Sequence, residues 1–167
     1  MTQLKIEGAG MPPLLLEGVT QTLEALPLGG MHRAVNGDLL YTGDRGQVKY
    51  RMACAGTGPA TTGLDGLHRG DVVTVHCLQR LWQEVSKRTV FLSRPPVLGT
   101  VLALDANHQS VDFEAKEDQS LRLKEALGGG VLYVSYCPIL KIRLMETTLN
   151  TTDWGAEQGW RLVGEEV

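Results

Sequence analysis

The chain is short of most residues that mark a catalyst, a metalloprotein or a secreted scaffold. Cysteine occurs only at Cys54, Cys77 and Cys137. An odd count at wide spacing excludes a secreted disulfide framework. Cys77 and Cys137 lie in strand-like apolar runs, where small thiols are usually buried. Aromatic residues make up 5%, little material for a stacking platform for single-stranded nucleic acid or sugars. A basic excess is also missing. The net charge is −3, which argues against a dominant nucleic-acid surface, so no sequence-specific nucleic-acid partner is expected. No apolar run approaches the roughly 20 residues that cross a bilayer, and no membrane partner is expected. The N-terminus lacks a charged segment followed by an apolar one, so the expected site of synthesis and first folding is a cytoplasm.

Catalytic and metal-binding patterns are missing too. No Gly-x-Ser-x-Gly occurs. His32, His68, His76 and His108 show no close metal spacing. The acidic cluster Asp112, Glu114, Glu117 and Asp118 lacks the glycine turn of a calcium loop and reads as a solvated turn. Ala55 to Gly66 (AGTGPATTGLDG) resembles a phosphate-binding loop at a glance. It lacks the Gly-Lys-Ser/Thr ending, and no strong helix follows. The expectation is therefore no catalytic residue, no metal and no cofactor, in a protein that is not an enzyme.

What the chain does have is glycine, 20 in 167 residues, and many short alternating segments. Glycine at this level favours turns over long helices. Asn36-Gly37 between Met31–Val35 and Asp38–Thr42 signals a hairpin, because both residues of a type I′ turn need positive φ. Val48 to Ala55 alternates, with Val48, Tyr50, Met52 and Cys54 on one face. Val72 to Leu78 is β-branched and apolar on both faces, as in a central strand. His76 and Cys77 then point to opposite faces and cannot share a metal; His76 reads as a sheet histidine with a polar neighbour. Leu78, Leu81, Trp82 and Val85 show helical spacing, with strand continuation as the alternative. Residues 97–115 suggest a second hairpin around Ala106 to Gln109. Pro138 interrupts the run Val131 to Leu149 and marks a bulge, an edge or a strand boundary.

Together these segments predict a mainly β fold, an antiparallel β-sandwich or barrel with at most one or two short helices. Residues 1–30 form an N-terminal arm, packed on its own core or exchanged with a neighbour. Residues 31–167 form the β-rich domain, with 83–130 as a candidate insertion. The C-terminal stretch from Lys141 to Val167 carries two of the three tryptophans, in Asp153-Trp154-Gly155-Ala156-Glu157-Gln158-Gly159-Trp160. Tryptophan is enriched as a core or interface anchor.

Several segments resemble small structural tail proteins of tailed bacteriophages. These are Arg33-Ala34-Val35-Asn36-Gly37, Lys49-Tyr50, the run from Leu64 to Cys77 (LDGLHRGDVVTVHC), the run from Asp153 to Leu162 (DWGAEQGWRL), and Glu165-Glu166-Val167. The resemblance covers about half of the chain, and the C-terminal motif is its most specific part. It implies a virion component without catalysis that assembles with itself into a ring in the distal tail, baseplate or tail tube, among other tail proteins. A head–tail connector or tail terminator is the alternative within the same particle. A carbohydrate- or receptor-binding module using Trp154 and Trp160 is the alternative outside it. The candidate interface residues are Trp82, Trp154, Trp160, Pro12 and Pro13.

Overall fold

Alternating side chains run through nearly every segment, and the chain folds as antiparallel strands. A computed structural model describes residues 3–8, 11–16, 18–27, 29–43, 48–57, 64, 66–87, 89–115, 119–124, 132–151 and 158–167. Among the described residues there is no α-helix.

The principal sheet has seven strands. In spatial order they are Met11–Leu16 (β2), Leu4–Gly8 (β1), Val72–His76 (β7), Ile139–Thr151 (β14), Gln158–Glu166 (β15), Tyr50–Thr57 (β6) and Val19–Ala25 (β3). Each neighbouring pair is antiparallel. Within residues 1–30, β1, β2 and β3 are all strands of this sheet. Pro12 and Pro13 fall on β2, an edge strand, where a missing backbone donor is tolerated.

Strand periodicity builds the first core. Leu4 and Ile6, Val73 and Val75, Met52 and Cys54, Leu140, Ile142 and Leu144, and Trp160 and Leu162 are all buried together. Successive inward positions differ by two, as a pleated strand requires. The sheet curls into a half-barrel, so its far edge meets its middle. Gln21 on the edge strand β3 extends its Oε1 to accept the backbone N–H groups of Leu78 at 2.7 Å and Gln79 at 2.9 Å, just past β7. Three strands lie between β3 and β7 in the sheet order, and only curvature brings them this close.

Between β7 and β14 the chain makes an excursion with its own core. Leu81–Val85 (β8), Leu102–Leu104 (β10) and Leu132–Tyr136 (β13) form one three-stranded sheet, in the order β10-β13-β8. Thr89–Phe91 (β9), Phe113–Ala115 (β11) and Ser120–Leu123 (β12) form another, in the order β11-β12-β9. Val85, Val90, Leu92, Ala103, Leu121, Leu123, Leu132, Val134 and Tyr136 fill the space they enclose. The segment 83–130, singled out from sequence, lies inside this excursion. Pro138 marks its end: β13 belongs to the small sheet and β14 to the large one, and the Cys77 N–H donates to the Pro138 carbonyl at 3.0 Å to close the neck.

Two expectations need correction here. Residues 81–85 are a strand and not a helix. Pairing with β13 decides this. It turns Val85 into the second core and leaves Trp82 on the outer face, 60% exposed. Residues 97–115 form a hairpin only next to the turn, where Leu104 bridges Ser110 and the Val111 N–H donates to the Ala103 carbonyl at 2.9 Å. The turn exists, with the Asp105 N–H donating to Gln109 at 2.9 Å, but β10 pairs with β13 and β11 with β12, one in each small sheet.

The first predicted hairpin is present as Gly29–Arg33 (β4) and Leu39–Gly43 (β5). Its turn differs from the expected type I′. The Gly37 N–H donates to Ala34 and the Ala34 N–H to Asp38, both at 2.9 Å. Gly37 takes φ 88, whereas Asn36 is not among the positive-φ residues. This is a type I turn followed by a left-handed glycine. Asn36 is spared positive φ because its side chain bridges to Asp38, through Nδ2 to the carboxylate at 2.7 Å.

Candidate functional site

The seam between the half-barrel and the excursion is organised by one arginine. Ser93-Arg94-Pro95-Pro96 cannot continue a ladder at its prolines, so it crosses from the small sheets to the large one. The Ile139 N–H donates to the Pro95 carbonyl at 2.8 Å, which fixes the crossing. Arg94 is thereby held against the end of β15. Its Nε donates to Glu166 Oε1 at 2.7 Å and its Nη2 to Oε2 at 2.8 Å. Such a fork of two parallel bonds suits the planar guanidinium. Nη2 also donates to the Val48 carbonyl. The guanidinium carbon sits 4.8 Å from the centroid of the Tyr50 ring, within cation–π range. Glu166 accepts in addition from the Tyr50 N–H at 3.1 Å. The hydrogen bonds to Glu166 push the Arg94 pKa further up, so the guanidinium stays charged.

A cleft of about 410 Å3 opens beside this clasp. It is lined by Val48 and Tyr50, by Leu81, Trp82 and Gln83 of β8, and by Ser93, Arg94 and Tyr136. The Ser93 and Tyr136 hydroxyls lie 2.9 Å apart and share one hydrogen bond. The volume lies in the range of small-molecule sites.

No known protein family and no curated protein matches this chain.

The sequence-predicted residues are not brought together. Trp160 is 4% exposed within the first core, which leaves no surface to offer a neighbour or a sugar. Its ring lies over Gly56, directly opposite it on β6. A Cβ at Gly56 would sit 2.9 Å from the indole. Trp82 is exposed at the cleft, on the other unit. Trp154 lies outside the described residues, as do the side chains of Pro12 and Pro13.

The cysteines are all free and buried. Burial pushes the thiols of Cys54 and Cys77 up to about 12, so neither is a nucleophile near neutral pH. His76 lies 3.8 Å from the Glu7 carboxylate, and Cys77 is buried. Among the described residues no group of three or more His, Cys, Asp or Glu could hold a metal.

Sequence reasoning missed Arg94, Glu166 and Tyr136. Glu166 entered only as part of Glu165-Glu166-Val167, and Arg94 was given no role. Only the crossing at Pro95 reveals that they meet. A signal was nonetheless there: an arginine directly before two prolines is fixed in direction more tightly than an ordinary loop residue.

Proposed function

We propose that this chain is a non-enzymatic structural subunit of a bacteriophage tail that assembles with copies of itself into a ring. The observation that carries the self-assembly is the β4–β5 hairpin. It is a separate two-stranded sheet, connected to the half-barrel where the Leu26 N–H donates to Lys49 at 2.8 Å. Met31, Val35, Leu39 and Leu40 are all exposed on it. An isolated hairpin is marginal in water, and apolar side chains in this density mark a surface that another chain covers. A contact between this hairpin and a different surface of the next copy is heterologous, and such contacts close into rings when the rotation permits.

The tail assignment rests on the resemblance. Its Arg33-Ala34-Val35-Asn36-Gly37 segment forms the hairpin tip, and its C-terminal segment includes most of the central strand β15.

Light scattering on the purified chain, with negative-stain imaging, tests the reading. A closed ring is expected, and Met31→Ser with Leu40→Ser should reduce it to smaller species without lowering the melting temperature. A monomer at all concentrations would overturn the assembly, and absence from purified tail particles by mass spectrometry would overturn the assignment.

A further inference from the structure

We propose that the cleft between Tyr50, Trp82 and Arg94 binds a neutral sugar ring. This goes beyond the assembly role, because the cleft is separate from the β4–β5 hairpin. Three features select the ligand class.

The first is the stacking surface. Trp82 is 60% exposed in a chain with three tryptophans. An indole held on the rigid strand β8 at the mouth of a concave site offers a flat apolar face, which suits the C–H face of a pyranose. Tyr50 also lines the cleft.

The second is the polar lining. Ser93 and Tyr136 share one hydrogen bond at 2.9 Å. Tyr136 is fully buried, so the exposed Ser93 hydroxyl is the one of the pair that a ligand can reach. Gln83 donates through Nε2 to Phe91 at 3.2 Å, which leaves its amide oxygen as an acceptor. A purely apolar side chain from a partner would cover these groups without satisfying them, which is costly. A polyol offers both donors and acceptors.

The third is charge. Among the described residues Arg94 is the only charged one lining the cleft, and both oxygens of Glu166 neutralise it. An anionic ligand would have to break that fork. A neutral ligand does not.

The test uses the purified full chain on an array of neutral hexose and N-acetylhexosamine oligosaccharides, with sialylated and phosphorylated glycans as comparators. Titration calorimetry then follows on the glycans retained. Neutral glycans are expected to bind. Trp82→Ala should weaken them at least tenfold at an unchanged melting temperature, and Trp82→Phe should retain part of the affinity. Competition by the free monosaccharide would place recognition in a single ring; competition only by oligosaccharides would extend it to a polymer, and both keep the sugar class. The proposal is overturned if no neutral glycan is retained, if Trp82→Ala binds as wild type, or if anionic glycans are preferred. It is also overturned if Trp82→Ala lowers self-association instead, which would make the cleft a subunit contact. Ring formation by Trp82→Ala with lost sugar binding would leave the assembly reading intact.

Discussion

Arg94 and Glu166 join the two β units through a two-bond fork whose side chains are only 15% and 13% exposed. Arg94 comes from the excursion, and Glu166 is the last residue of β15. The fork fixes the angle between the half-barrel and the excursion and shapes the cleft. A charge pair at this depth has lost much of its water, so removing one partner strands the other.

Arg94→Ala is therefore expected to lower the unfolding free energy by about 2–4 kcal/mol. Glu166→Gln should cost less, because an amide still accepts one bond. Urea unfolding of both single variants and the double variant gives the coupling. Strictly additive losses would show that the fork contributes nothing as a pair.

Gly56→Ala should destabilise by about 1–3 kcal/mol, because the new methyl meets the Trp160 ring at 2.9 Å in a packed core. The smaller ring of Trp160→Phe should relieve that clash, so the double variant should lose less than the sum of the singles. Thermal unfolding of the three proteins decides it. A Gly56→Ala protein as stable as wild type would mean that the ring has room to move.

Gln21→Ala should cost roughly 1–3 kcal/mol, since the Leu78 and Gln79 N–H groups lose their common acceptor. The loss should be local. Hydrogen exchange at those two amides should speed up far more than at Val73 and Val75. Uniform acceleration across β7 would place the effect in the whole sheet instead.

Alkaline pH should unfold the protein partly through its thiols. Cys54 and Cys77 are raised by burial from an ordinary value of 9.0 to about 12. The folded state thus holds their protons more tightly than the unfolded chain. Their contribution is intact below about pH 9 and is lost as pH rises towards about 12. Urea unfolding from pH 8 to pH 11 should show a steeper loss in wild type than in the Cys54→Ala, Cys77→Ala double variant. Equal slopes would mean that the thiols ionise as readily folded as unfolded.

The sequence by itself determined the class of fold and most inward positions. Alternation at Met52 and Cys54, and at Val73 and Val75, is a local consequence of strand geometry and needs no knowledge of partners. The hairpin at Asn36-Gly37 was legible for the same reason. Local pattern failed where pairing decided the outcome. The spacing of Leu78, Leu81, Trp82 and Val85 suits a helix equally well, and only β13 alongside made it a strand. The turn after Leu104 is a hairpin only as far as Ala103 and Val111, because beyond them the two arms join different sheets. The fate of Trp160 was open as well, because burial depends on Gly56, more than 100 residues away. The candidate site was the least legible part. Its fork joins residues 72 apart, its cleft exists only where two sheets meet, and neither leaves a period in the chain. Side-chain periodicity is written locally, whereas contacts between units depend on how the sheet curls and where the chain crosses, which tertiary structure alone decides.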